Sequence, residues 1–514
     1  MEEKKDYVTS EIQSASSVPH DFKNITTITS PLTGKETQGD VALNYVGETV
    51  EYTPEEERKL VRKIDFIVLP MVTLIVILQF VDKLTNTFGV MVGLREDLGM
   101  HGDMYSWVGS SFYLGYLAFE FIGVRCLQKY PLSRMLSIFI VVWGAILVLH
   151  AVPAYGAMIT FRVLLGMLES TVMPGMVIIV GQWYHKSEQF LRTTIFYCSM
   201  GIGYILSSAM GYGVYVHRNS YVIKPWQVMY IVMGFITMAF GVVFYFYMPD
   251  NPQKAWFLND REKAIAMERA RQNKQGYGNP KWKWYQFKEA LLDFQAWFFF
   301  LFAVFVNIGN GAVTNFSTLL LKGMGFDTTG QILMNMPTGA IEFGVCVIFA
   351  YSVRWVKSRM AIGLFAMSVF VMANALLAYG PNNGAKYAGY ILSVIFVLTS
   401  ATLLSNVASN VAGHTKKITV NAMYLIGYCV GNLIGPQTML ASEEPEYPTG
   451  KTILLVMACL GWLMTALIWG GYWWKNQQKK KLEGTEIYQK FLEMENVEFC
   501  DFTDKENPLF RYEL

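Results

Sequence analysis

Charge is scarce in this chain. Of 514 residues, 16% are Asp, Glu, Lys or Arg, where a soluble globular protein carries about 25%. The shortage argues against a water-solvated fold and points to lipid. Excess positive charge is also lacking. Lys and Arg number 42 against 40 Asp and Glu, a net charge of +2, so nothing here suits a nucleic-acid partner. The six cysteines (Cys126, Cys198, Cys346, Cys429, Cys459, Cys500) are far apart, which indicates neither a disulfide framework nor a zinc site. The six histidines form no cluster, and no nucleophile elbow or metal-ligand spacing occurs. An enzyme is not expected, nor a cofactor. The opening "MEEKKDYVTSEIQSASS" has no apolar core, which argues against a cleaved signal peptide.

What the chain has is hydrophobic length: 53% of its residues are apolar. Residues 1–60, rich in Ser, Thr, Glu and Lys, read as a disordered tail. Twelve apolar runs follow, each about 20 residues and long enough to cross roughly 30 Å of hydrocarbon. Six fall within 61–248 and six within 294–474. Residues 249–293 form a polar bridge and 475–514 a polar tail. With both tails in the cytosol, the short inner loops hold ten Lys and Arg against six in the outer loops, which favours that orientation. In the bridge, "NDREKAIAMERARQ" reads as a helix with Asn259 and Glu262 placed as a capping box. Trp282, Trp284 and Trp297 alternate with lysines, as in a segment lying at the membrane surface.

Charges inside the apolar runs are the informative residues, because each costs roughly 2.5–3.5 kcal/mol at mid-membrane. Arg162 and Glu169, in "RVLLGMLESTVMPG", are seven residues apart, on one helix face and roughly 10 Å apart along the axis. That leaves room between them for a ligand or a second helix. Gly166 lies on nearly the same face and is expected to open space there, and Pro174-Gly175 to bend the helix. In "LQFVDKLTN", Asp82 and Asn86 share a face and Lys83 points away from it. The alternative for Asp82 and Lys83 is a helix end, snorkelling to water. Glu342 fits a packing hydrogen bond as well as a site. Glu120 fits a structural or gating contact as well as a ligand contact.

The second half carries amides instead of charges. Asn307, Asn310 and Thr314 share a face, as do Asn406 with Asn410, and Asn421, Tyr424, Tyr428 and Asn432. Such stripes either line a cavity or tie helices together. Gly427, Gly431 and Gly435, at four-residue spacing, suit close helix packing. An embedded cation can hold an anion, and an embedded carboxylate can take a proton because desolvation disfavours its charge. Together they describe a proton-coupled anion symporter.

The strings "LQFVDK", "GYLAFEF", "LQKYPLSR", "RVLLGMLESTVMPG", "WYHKSEQFLRTTIFYC", "NAMYLIGYCVGNLIGPQ" and "DFTDKENPLFRYEL" follow one another in order. From about residue 60 onward the chain resembles the fungal allantoate permease family, in the anion:cation symporter branch of the major facilitator superfamily. The resemblance implies an all-α membrane fold of twelve transmembrane helices in two six-helix halves, working by alternating access. It implies proton-coupled uptake of an organic anion across the plasma membrane, with an internal membrane such as the endoplasmic reticulum as the alternative. The family's substrates range over allantoate, small peptides, vitamin acids and sulfur-containing acids. Its functional charges fall at Asp82 and Glu169 for protons and at Lys83 and Arg162 for the anion. Lys83 replaces an arginine found in bacterial and animal relatives. A substrate-contacting tyrosine falls at Tyr116, with Tyr113 nearby. Asn86, Asn307, Asn310, Asn406, Tyr424 and Tyr428 complete the candidate cavity lining. "GVRCLQKYPLSR" stands where the superfamily has an acidic loop motif but lacks its Asp, so that gate is latched by other groups. Alternatives are a carrier of thiamine-like cations and a transporter-like nutrient sensor. Partners expected are the bilayer, protons and the anion, in a monomer, with Lys4, Lys5, Lys23 and Lys35 as places for a ubiquitin ligase to act.

Overall fold

The computed structural model describes residues 27–29, 36–38, 52–272, 282–352, 358–492 and 501–514. The four tail lysines, Cys500, Arg354 and Lys357 lie outside them. A two-stranded antiparallel ribbon, β1 (Thr27–Thr29) with β2 (Glu36–Gln38), precedes the helices. Among the described residues the rest of the secondary structure is helical.

The first half contains α1 (Pro54–Val90), the short α2 (Leu94–Asp97), α3 (Met104–Lys129), α4 (Leu132–Leu149), α5 (Tyr155–Glu169), α6 (Val172–Trp183), α7 (Lys186–Val216) and α8 (Pro225–Tyr247). α1 begins inside the stretch read as disordered tail. Pro54 opens it, and the Thr53 side chain and Glu56 cap each other's backbone N–H, which satisfies donors that a helix start leaves free. The fourth span breaks between α5 and α6, at Ser170-Thr171. Pro174 supplies no N–H to the carbonyl four residues back, so the chain yields there and not at the proline itself.

α9 (Asp260–Gln272) and α10 (Trp284–Leu292) lie between the halves in sequence. Asn259 and Glu262 form the reciprocal cap at the start of α9. Trp282, Trp284, Leu292 and Trp297 are exposed on and around α10.

The second half contains α11 (Phe294–Gly323), α12 (Thr328–Leu333), α13 (Met336–Ser352), α14 (Arg359–Tyr379), α15 (Asn383–Leu392), α16 (Phe396–Asn410), α17 (His414–Ile434) and α18 (Pro448–Lys480), then α19 (Glu486–Leu492). Counting α5–α6, α12–α13 and α15–α16 as single stretches, ten are long and apolar enough to cross a membrane. α3 and α7, of 26 and 31 residues, have the length but carry more Ser, Gly and Tyr. Both pack against the opposite half, α3 on α17 and α7 on α13, so their polar faces meet protein and not lipid.

Small residues set the closest contacts. A Cβ at Gly427, Gly431 or Gly435 would lie 2.5–2.6 Å from a carbonyl oxygen of α11, which is why α17 tolerates no side chain there. Gly201 of α7 and Gly339 of α13 bring the halves together backbone to backbone. Gly166 does not open space: a Cβ there would lie 1.9 Å from the Phe112 carbonyl, so it lets α5 press onto α3.

The start of α1, α9, α10 and residues 501–514 lie at one end of the helices, the tail side, where ion pairs tie α9 to α1 and residues 501–514 to the start of α10. On the opposite, far side the halves are bonded to each other. Thr87 donates to the Thr314 carbonyl (2.8 Å), Tyr105 to the Asn315 carbonyl (2.7 Å) and Ser110 to the Leu433 carbonyl (2.7 Å). Arg95 pairs with Glu444 at 2.9 Å. On the tail side each half has its own collar. α9 joins the first half through Lys63–Glu262 (2.8 Å), Arg269–Glu57 (3.0 Å) and Arg269–Glu188 (2.7 Å). The C-terminal segment joins the second. Buried Lys416 contacts Asp504 (2.7 Å), Glu289 (2.9 Å) and Asp293 (3.2 Å). Where the acidic loop motif is missing, Arg134 of "PLSR" faces Asp250 of "MPDNPQ" at 3.7 Å.

Candidate functional site

About three-quarters of the way along α1 the helix presents Asp82 and Lys83 in two directions, as the 100° step between neighbours dictates. Asp82 points into the first half and is fully buried. Trp143 of α4 donates its ring N–H to Asp82 Oδ2 at 2.8 Å. The Glu169 carboxyl, at the C-terminal end of α5, is near enough to the Asp82 carboxyl for each to feel the other's charge. Asp82 Oδ1 and both Glu169 oxygens have no hydrogen-bond partner among the described residues. The break after Glu169 and the Gln79 side chain, which reaches the Glu169 carbonyl at 3.4 Å, place this carboxyl against α1.

Arg162 lies two turns earlier on α5 and is buried. Its guanidinium donates to the Tyr230 hydroxyl at 3.0 Å and sits over that ring. His150 stacks on Tyr230, with ring centroids 5.2 Å apart. Arg162 and Glu169 make no direct bridge; Asp82 stands within electrostatic reach of both. The space between the two charges is thus filled by α1. Arg162 is committed to Tyr230 inside the first half instead of facing α17.

Lys83 points to the seam between the halves. Its ammonium lies 5.4 Å from the Tyr113 ring centroid and 5.5 Å from that of Phe112. Tyr428 of α17 closes the group, 6.1 Å from Tyr113 and 6.0 Å from Tyr116 between ring centroids. Lys83 makes no ion pair within 4 Å among the described residues. A cation walled by aromatic rings and hydroxyls from both halves is therefore open to an anionic partner. Asn86, one turn along α1, is buried with both amide atoms unpartnered among the described residues.

The structure thus gathers Asp82, Lys83, Arg162, Glu169, Tyr113, Tyr116 and Tyr428. The other candidates lie elsewhere. Asn307 and Asn310 join Asn432 in an amide chain that ties α11 to α17, with Asn310 donating to Asn432 at 2.9 Å. Asn406 is on the tail side, bonded to the Thr402 carbonyl at 3.0 Å and to Asn410. Tyr424 packs in the core of the second half. Trp143, Tyr230 and His150 belong to the site without having been read from the sequence. Trp143 looks like apolar filler in "VVWGAIL", and His150 sits at a helix end where a loop residue is expected.

Two halves joined at a central seam, with buried charges on the first and fourth spans, define a membrane transporter. The chain belongs to the major facilitator superfamily, in its fungal allantoate permease group: residues 71–436 match the Major Facilitator Superfamily. It is 38% identical to the allantoate permease of Saccharomyces cerevisiae over 90% of this chain and 88% of that one. It is 31% identical to the thiamine pathway transporter of the same yeast, over 88% of this chain and 86% of that one. Among solved structures, a proton:xylose symporter superposes with a TM-score of 0.58, covering 78% of this chain and 95% of that chain at 12% identity. That likeness speaks to the fold alone.

Proposed function

We propose that this transporter imports a small organic anion together with protons, across the plasma membrane and with both tails cytosolic. The observation that carries the reading is Lys83, a cation without a carboxylate partner, set among Tyr113, Tyr116 and Tyr428 at the seam. An anionic group between the halves would complete its charge. Lysine offers a point charge and not a planar fork, so the tyrosine hydroxyls would supply the geometric selection. Nearby, the buried Asp82 and Glu169 carboxyls stand close enough to interact. Two ionised carboxylates so placed repel, and a shared proton relieves the repulsion. This pair is the proposed proton carrier, with Arg162 balancing its remaining charge. Each proton beyond charge balance adds about 2.3 kcal/mol per 100 mV of membrane potential.

The relatives' printed roles suggest a ureide acid such as allantoate or a vitamin-pathway compound as the first anions to try. The test is uptake of a labelled organic-acid panel in cells lacking their own carriers, at external pH 5 and 7. Uptake of one anion that is stronger at pH 5 and abolished by a protonophore supports the reading. A flat panel with the protein at the cell surface would end it. Uptake of a cation, unaffected by excess anion, would favour the thiamine-like alternative.

A further inference from the structure

Glu120 takes no part in anything described above. It is 2% exposed, and neither carboxyl oxygen has a hydrogen-bond partner among the described residues. Its direction follows from helix geometry. Tyr113, Tyr116 and Glu120 stand at three- and four-residue steps along α3 and share a face. The two tyrosines rest on Tyr428 of α17, so Glu120 continues that face into the seam between the halves. Its depth follows from packing. Gly166 meets the backbone of Phe112 and Tyr116, and Gly123 meets Thr171. α3 and α5 are thus in parallel register, and Glu120 lies level with the Glu169 backbone, one turn to the tail side of Tyr116.

Among the described residues it makes no ion pair with a cation. The titratable groups near it are Tyr116 on α3 and Cys429 on α17; Tyr428 on α17 and Tyr197 on α7 lie beside Tyr116. Glu169 on α5 turns its carboxyl to Asp82. Lys83 is the cation of this neighbourhood and makes no ion pair with Glu120. Cys429, though part of the second half, is buried among apolar residues of the first, so it too reports on the seam.

An ionised carboxylate that is buried without a partner is far too costly to keep. While α3 and α17 are in contact, Glu120 is therefore neutral. Parting the two helices admits water and lets it ionise. We infer that Glu120 couples the opening of the α3–α17 seam to the release of a proton, as a proton-binding residue separate from the Asp82–Glu169 pair. The inference extends the proposed symport, but its test needs no transported substrate.

The test measures alkylation of Cys429 by N-ethylmaleimide in the full chain in lipid nanodiscs, read by peptide mass spectrometry between pH 5 and 8. The native chain is compared with Glu120→Gln and Glu120→Asp. Opening that releases one proton responds by up to about tenfold per pH unit. The ratio of alkylation rates, native over Glu120→Gln, should therefore climb with pH. Dividing one chain by the other cancels the intrinsic chemistry of the thiol. The direct effect of an ionised Glu120 has the opposite sign, because a nearby anion disfavours the thiolate. Glu120→Asp keeps an ionisable group and should keep the slope. Equal slopes in the native and Gln chains would overturn the inference. So would loss of the slope in the Asp chain as well as the Gln chain, which marks a packing role. Uptake assays decide the symport separately, so the two failures are distinguishable.

Discussion

At the scale of single residues, the account assigns different work to the charges of the first and fourth spans. Lys83→Met removes the charge offered to the anion. A hydrogen bond to a charged group contributes about 1.5–3 kcal/mol, so half-saturation should rise roughly ten- to hundredfold, with protein abundance unchanged. Lys83→Arg should retain much of the affinity; an equal loss in both would argue against an anion at this position. Glu169→Gln mimics a permanently protonated pair. It should abolish proton-driven accumulation and leave exchange of labelled for unlabelled anion in place. Trp143→Phe deletes the N–H that Asp82 accepts at 2.8 Å. That donation favours the ionised carboxylate, so without it the pH profile of uptake should move to higher pH. An unchanged profile would remove Trp143 from the coupling site. Asp82, Lys83, Arg162 and Glu169 were legible in the sequence because a charge in an apolar run needs a reason. Trp143 and Tyr230 were not, since an aromatic residue in such a run needs none until its polar edge is seen to meet Asp82 or Arg162.

At the scale of elements, two constructions hold the halves in shape. α17 lies on α11 through Gly427, Gly431 and Gly435, and their spacing in the sequence already pointed to close packing. Gly431→Leu should prevent that contact and deplete the protein from the membrane. Gly166 looked like a space-maker, yet it serves the same close approach between α5 and α3; spacing alone does not say whether a backbone or a cavity faces a glycine. The amide stripe of α11 resolves in the same way, because Asn307, Asn310 and Asn432 satisfy one another across α11 and α17. The second construction is the C-terminal segment. Burial pushes Asp293 upward, but Lys475 and Lys416 outweigh it and hold the carboxyl below its ordinary value. A depressed carboxylate contributes stability above its unfolded value, about 3.9, and loses that contribution as pH falls through the lower folded value. The tail-side collar should therefore hold at neutral pH. Asp504→Asn weakens it by removing a charge from buried Lys416 and an acceptor from Tyr512. The thermal midpoint of the detergent-solubilised protein should fall at pH 7; an unchanged midpoint would show the segment to be a passive tail. Its polar composition gave no sign of this docking, because the partners are Lys416, Lys475 and Lys479, distant in sequence or on another helix.

At the scale of the whole molecule, the helices divide into two halves bonded to each other on the far side and collared separately on the tail side. The twelve runs and the six-plus-six grouping were readable from hydropathy. α3 and α7 were the least apolar because they form the seam between the halves, which composition cannot distinguish from poor membrane fit. With the bonds among Thr87, Tyr105, Ser110 and the second half intact, the halves are held together on the far side, and a passage opening to that side requires these contacts to part. The central claim is that Lys83 and the Asp82–Glu169 pair together move an anion with a proton. The most direct measurement is uptake of the panel's responsive anion at pH 5 and 7, with and without a protonophore, in the native chain and in Glu169→Gln. The account predicts protonophore-sensitive accumulation at pH 5 in the native chain, and exchange without accumulation in the variant. Accumulation in Glu169→Gln equal to the native chain, at equal surface abundance, would contradict it.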